Sequence, residues 1–278
     1  MPDGRVKHIV QNITDPDIVP YIPDGIGNST DRQRIPAVLI IPGGAFRRLV
    51  YNFEGEDVAK WLNSMGIAAF VLECRLPSDE HDNAEDVPLI DAMRAMRVIR
   101  GRAQEFGIDE AKIGVMGFSA GGFMAALLST AYESDVYADY KYKDEYDKLS
   151  ARPDFAVCSY PVISIDDCIE AGKRYMSEEQ VLERISDSKA KILHKYNPDK
   201  LVRPDMPPVF ICETDDDRTT LSENSVGFYM AARKAGVSAE LHIFRTGGHG
   251  YGCGDDFAQT GEWKVLFTKW IKSIGIIS

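Results

Sequence analysis

Gly117-Phe118-Ser119-Ala120-Gly121 sets a serine between two glycines in the pattern G-x-S-x-G. The chemistry it offers is nucleophilic: where a strand turns sharply into a helix, the serine hydroxyl stands exposed on a strained backbone, and small flanking residues permit the turn. Glycine and serine are each about 7% of residues, so roughly one chain in ten of this length carries the pattern by accident. Its context must therefore carry the weight, and here an apolar strand-like run ends at Met116 and a helical run follows from Gly122 to Leu128.

A serine hydroxyl is a poor nucleophile at neutral pH and needs a base. Of the five histidines, His8 lies in the N-terminal arm, His81 in a polar loop, His194 in a charged stretch and His242 within an alternating strand. His249 sits in Thr246-Gly247-Gly248-His249-Gly250-Tyr251-Gly252, where glycines leave the imidazole room to reach Ser119, and it is the candidate base. A base of this kind needs a carboxylate to fix its tautomer. Asp215, Asp216 and Asp217 all follow one strand, and topology does not choose between them. Acyl transfer also needs donors aimed at a developing oxyanion. The Ala120 N–H is one candidate, and Gly43 and Gly44 in Pro42-Gly43-Gly44-Ala45-Phe46 let further N–H groups approach because they lack side chains. Which of the early N–H groups donates stays open.

Positioning these residues falls to an alternation of strands and helices. Strand-like runs are Ala37 to Ile41, Ile67 to Leu72, Lys112 to Met116, Phe155 to Ser159, Val209 to Cys212 and Ala239 to Phe244. Helices are expected over Glu54 to Ser64, from Asp86 onward, over Gly121 to Ala131, up to Lys234 and over about Glu262 to Ile274. Leu89, Ala92, Met96, Ile99, Ala103 and Phe106 recur at spacings of three and four and make one apolar face. Thr220-Leu221-Ser222-Glu223 has the form of a capping box opening the helix to Lys234. The alternation predicts an α/β fold with a mostly parallel sheet covered on both faces. Two stretches stand outside it, Tyr132 to Arg152 and the charged excursion Cys168 to Lys200; additions at the carboxyl ends of strands tend to cover a ligand crevice.

The 278 residues are 44% apolar and 27% charged, enough for a sizeable core, and 32 basic against 43 acidic residues give a net charge of −11. That charge repels phosphate backbones and anionic membranes, which excludes nucleic acid and membrane as expected partners. No run reaches the roughly 18 apolar residues of a membrane helix. Met1 to Arg5 lacks an apolar h-region, so a cytoplasmic location is expected unless a leader was removed. The five cysteines show neither C-x-x-C pairs nor metal-ligand spacing, so no metal and a reducing compartment are expected.

The chain resembles α/β-hydrolase esterases related to acetylxylan and other carbohydrate esterases, often labelled xylanase- or lipase-like. The similarity runs from Tyr21-Ile22-Pro23 to Trp270, through Ile41-Pro42-Gly43-Gly44, Ile113 to Gly122, Ser150 to Phe155, Tyr160-Pro161-Val162-Ile163-Ser164 and Gly247-Gly248-His249-Gly250. The order Ser119, acid, His249 is that of α/β-hydrolases, and Pro42 replaces the histidine of their HGGG-type loop. Ala45 stands where many relatives have a third glycine. Aligning Asn224-Ser225 with the family's acid loop places the acid on Asp217, leaving Asp215 and Asp216 to bond the loop backbone.

What the resemblance implies is ester hydrolysis, commonly removal of acetyl groups from sugars. The expectation is a single α/β-hydrolase domain over residues 1–278, with an eight-stranded sheet and cap-like insertions around 132–152 and 168–200. Ser119, Asp217 and His249 would form the triad, with Gly43, Gly44 and Ala120 around the oxyanion, no cofactor, and a small-molecule or oligosaccharide ester as substrate. A peptidase of related fold usually carries a further domain, a lipase would present an apolar lid, and a non-catalytic binding protein would tend to lose a triad member.

Overall fold

The computed structural model describes residues 6–24, 34–79, 81–185, 188–254 and 259–278. Met1 to Arg5, and residues 186 and 187 of the second insertion, lie outside the described residues. The strands are β1 (Ile9–Val10), β2 (Asp17–Tyr21), β3 (Ile35–Ile41), β4 (Leu49–Val50), β5 (Ala68–Glu73), β6 (Ile108–Phe118), β7 (Ala156–Ser159), β8 (Val209–Thr214) and β9 (Ala239–Phe244). The helices are α1 (Asp57–Ser64), α2 (Val87–Gly101), α3 (Ala103–Phe106), α4 (Ala120–Ala131), α5 (Ile165–Lys173), α6 (Glu178–Ile185), α7 (Ser188–Lys195), α8 (Ser222–Lys234) and α9 (Glu262–Ser273).

Seven strands form the main sheet in the order β2-β5-β3-β6-β7-β8-β9, parallel except for β2, which pairs antiparallel with β5. The expected count of eight is therefore corrected to seven among the described residues. The short β1 pairs instead with β4 in a separate two-stranded ribbon, so it does not extend the sheet. β2 has no counterpart among the strands expected from the sequence. It is an edge strand carrying Pro20, a position proline tolerates because no neighbour needs its missing N–H.

Side chains alternate across each strand and so split between two cores. Leu39, Phe70, Val115, Cys158 and Ile211 join the core under α2, α4 and α8. Ile40, Val71, Met116, Val157 and Phe210 join the core under α1 and α9, around Trp263 and Phe267. On α2 the expected apolar stripe is the buried one: Leu89, Ala92, Met96 and Ile99 are fully buried. The helix expected from Glu54 opens as a wide π-type turn at Asn52–Glu56 before α1, and that turn carries Glu54 into the interior.

The two excursions are tied down differently. Residues 132–152 form short 3-10 turns pinned along α2, with Arg94 paired to Asp144 and the Arg97 guanidinium donating to the Leu149 carbonyl. The second excursion folds as α5 to α7, and Lys195 pairs with Asp86 at the start of α2. Among the described residues no helix is long and apolar enough to cross a membrane.

Candidate active site

Ser119 lies between β6 and α4 with φ 53° and ψ −117°, a backbone conformation that non-glycine residues avoid. The flanking glycines explain how it is held. A Cβ on Gly117 would lie 1.9 Å from the Gly121 carbonyl oxygen, and one on Gly121 would lie 1.9 Å from that of Ile41. The turn is pressed flat against itself and against β3, and only glycine fits either place. Gly121→Ala is therefore expected to destabilise the fold by at least about 3 kcal/mol, because the obstruction is backbone that cannot rotate away; urea denaturation of the purified variant measures it.

β9 delivers the second group. Its end pairs in register with the end of β8, Thr214 opposite Phe244, so the loops leaving both strands emerge side by side. Asp216 Oδ1 accepts from the N–H groups of Gly247 and Gly248 at 2.9 and 2.8 Å, and the Thr214 hydroxyl donates to the Gly248 carbonyl at 2.8 Å. These bonds hold the His249 loop against the acid loop. His249 Nδ1 meets Asp217 Oδ2 at 2.6 Å, and Nε2 meets Ser119 Oγ at 2.9 Å. With Asp217 accepting at Nδ1, the neutral imidazole carries its proton there and presents Nε2 as acceptor to the serine hydroxyl. The structure brings Ser119, His249 and Asp217 into one hydrogen-bonded chain; Asp215 and Asp216 are exposed and outside it.

Asp217 is buried. Its Oδ1 accepts from the N–H groups of Thr219 and Thr220 at 2.7 and 3.0 Å, and its Oδ2 from the Thr220 hydroxyl at 3.0 Å. Burial alone would push its pKa up, but the His249 hydrogen bond and charge, with the two backbone donors, outweigh it and hold the carboxyl below its ordinary value. Thr220 corrects a sequence expectation. Helix α8 starts at Ser222 with no side-chain cap, and the Thr220 hydroxyl serves the acid instead, 3.3 Å from His249 Nδ1.

Three further residues escaped the sequence. Glu213, fully buried at the end of β8, accepts from the Thr214 N–H at 2.9 Å. Burial, then the nearby Asp217 charge, pushes its pKa well above the ordinary carboxylate value. Tyr160, at φ 37°, packs its ring edge-on to His249 at 5.0 Å. Its hydroxyl donates to Glu54 Oε1 at 2.9 Å and accepts the Gly252 N–H at 3.0 Å. Glu54 Oε2 accepts the Gly43 N–H at 2.8 Å. Burial drives the Glu54 pKa upward, countered in part by Tyr160, His249 and Gly43. The glycines at 43 and 44 are the one sequence signal near these residues; nothing in Phe53-Glu54-Gly55-Glu56 marks which glutamate is buried.

The Gly43 contact narrows the candidate oxyanion donors. Gly43 lies against Ser119, since a Cβ there would come within 2.9 Å of Ser119 Cβ, but its N–H is committed to Glu54. Gly44 and Ala120 keep N–H groups with no described acceptor, Ala120 as the first residue of α4. Among the described residues no cluster of three or more His, Cys, Asp or Glu side chains could hold a metal ion.

The BD-FAE family model matches residues 26–231. An acetylxylan esterase of Xylanibacter ruminicola is 31% identical over 240 residues, 86% of this chain but 45% of that protein, so the chain spans just under half the length of this curated relative. An acetyl ester-xyloside bifunctional hydrolase from Caldicellulosiruptor lactoaceticus is 35% identical, covers 98% of both chains and superposes with a TM-score of 0.77. A carboxylesterase from Lactobacillus plantarum, 21% identical over 98% of both chains, has the same fold at a TM-score of 0.77.

Proposed function

The chain belongs to the BD-FAE family and has the α/β-hydrolase fold, and on that footing we propose that it is a serine carboxylesterase acting on short acyl esters of carbohydrates, such as acetylated xylo-oligosaccharides. The observation that carries this is the continuous hydrogen-bonded run from Ser119 through His249 to Asp217, beside Gly44 and Ala120 N–H groups that have no acceptor among the described residues.

Ser119 Oγ attacks the ester carbonyl carbon while its proton passes to His249 Nε2. The carbonyl oxygen takes the negative charge and lies against the Gly44 and Ala120 N–H groups. The tetrahedral intermediate collapses, the ester C–O bond breaks, and the imidazolium returns the proton to the leaving alcohol. Water then repeats the sequence on the acyl-enzyme, its proton passing to His249 and on to Ser119 as the carboxylic acid leaves. Asp217 holds the imidazole in the required tautomer throughout. The chain is read as one domain in which residues 168–200 act as a cap. The Arg218 guanidinium in the acid loop lies 5.8 Å from the Tyr175 ring of that excursion, which supports this placement.

Support for a carbohydrate ester comes from the names of the matched proteins and from the polar character of the excursion, with Lys173, Arg174, Glu178 and Glu179 near its middle. A pocket bordered by Gly43, Gly44, Ala120, Phe46, Leu76 and Met124 offers an apolar wall to a short acyl group. The test is a hydrolysis panel of nitrophenyl acetate, butyrate and octanoate, acetylated xylo-oligosaccharides, a feruloyl ester and a peptide anilide. The acetate is expected to exceed the octanoate in kcat/KM by at least about tenfold, the anilide to stay uncut, and the acetylated oligosaccharides to release acetate. Faster cleavage of octanoate would replace this reading with a lipase, and cleavage of the anilide with a peptidase.

A further inference from the structure

Glu54 is an acid in an expensive place. The residue is 4% exposed, on a π-type turn in the interior, where a carboxyl is tolerated only if its oxygens find partners. One oxygen takes the Gly43 N–H, and the other takes the Tyr160 hydroxyl, which in turn receives the Gly252 N–H. A single side chain thus joins the Gly43-Gly44 loop, the turn after β7 and the loop that carries His249.

The Gly43-Gly44 loop needs such a tie. After Gly44, Ala45 and Phe46 follow one another at φ 58° and 61°, left-handed conformations that L-residues keep only where the surroundings over-determine them. The peptide groups around Gly43 are held at two points: its carbonyl accepts the Val50 N–H at 2.9 Å, and its N–H donates to Glu54. There is no slack on the nucleophile side, where a Cβ on Gly43 would lie 2.5 Å from the Phe118 carbonyl oxygen.

We propose that Glu54 is a positioning residue: by holding the Gly43 N–H it fixes the loop that presents the Gly44 N–H to the oxyanion formed at Ser119. The proposal rests on the serine esterase mechanism above. It gives Glu54 no contact with substrate; its effect passes through Gly43. A loop freed to shift by about 1 Å loses on the order of 10²-fold in rate, because the donor then misses where charge develops.

The experiment compares Glu54→Met, which keeps the volume and removes both acceptors, with Glu54→Gln, which keeps an acceptor for Gly43. Two quantities are read: kcat and KM on nitrophenyl acetate, and the Ki of an alkyl trifluoromethyl ketone, whose adduct with Ser119 carries the oxyanion. Glu54→Met is expected to lower kcat about 10²-fold with KM changed less than about threefold, and to weaken the ketone by a similar factor, while Glu54→Gln recovers at least about tenfold of both. A stability role alone would leave a folded variant's kcat and Ki in place. If Glu54→Met does not fold, Glu54→Ala removes the same acceptors without adding bulk and supports the same comparison. A folded acceptor-less variant with kcat and Ki near wild type overturns the proposal, and so does equal impairment of the Gln and Met variants, which would assign the effect to charge. Failure of the ketone to inhibit wild type, or full turnover by Ser119→Ala, would instead remove the esterase mechanism and the proposal with it.

Discussion

Ser119→Ala is expected to lower kcat for acetate ester hydrolysis by about 10⁶-fold, the scale of losing the nucleophile of a triad that acts as a unit. Among the described residues the hydroxyl makes one side-chain hydrogen bond, to His249 Nε2, and alanine keeps the Cβ that the crowded turn already accommodates. Folding stability should therefore stay within about 1 kcal/mol of wild type, the net worth of one hydrogen bond. The strain at φ 53° is unchanged, since alanine suffers it as serine does. Circular dichroism and urea denaturation establish folding, and initial rates on nitrophenyl acetate give kcat. A folded Ser119→Ala protein retaining more than about 1% of wild-type turnover would exclude the acyl-enzyme mechanism. The loss should not extend to ground-state binding, because the residues that line the site remain in place.

Parts of this site are legible in the sequence because local physics dictates them. The turn at Gly117 to Gly121 can be read since only glycine survives the 1.9 Å approaches on either side of Ser119, and the strand before it and helix after it announce themselves by apolar runs. The stripe from Leu89 to Ala103 is equally plain, being a period that only a helix buries. Thr220 shows the opposite case. A Thr followed three residues later by Glu satisfies the capping pattern, yet its hydroxyl is drawn to Asp217 Oδ2, three residues earlier in the same loop, a local competitor that the capping pattern does not weigh. β2 stays hidden because an edge strand with Pro20 and exposed Asp17 lacks a buried alternation. Glu54 is the furthest from sequence: the preference of a carboxylate for water is overridden by Gly43 and Tyr160, residues distant in the chain. Tertiary partners, not propensity, decide such positions.

Asp217→Asn is expected to lower kcat by about 10⁴-fold while leaving the chain folded. The direction follows from which oxygen does what. Oδ1 accepts two backbone N–H groups, from Thr219 and Thr220, and an asparagine can satisfy them only by placing its carbonyl there. Its NH₂ group then faces His249 Nδ1 and donates to it. The imidazole proton is forced onto Nε2, the atom that must receive the proton of Ser119, so the base is blocked rather than merely weakened. Asp216→Asn differs on the same logic. Its Oδ1 accepts from Gly247 and Gly248, an asparagine carbonyl can do the same, and the His249 loop keeps its position; kcat should fall no more than about tenfold. Stability in acid separates the two as well. The folded-state pKa of Asp217 is depressed, so its ionised form contributes stability that is present above the unfolded carboxylate value and lost as pH falls through the lower folded value. Asp217→Asn removes that dependence, and its urea midpoint should decline less steeply than wild type below about pH 4. Measuring kcat and acid denaturation for both variants decides the assignment: a folded but inactive Asp216→Asn beside an active Asp217→Asn would move the acid by one residue and break the hydrogen-bonded chain through which Ser119 is proposed to be activated.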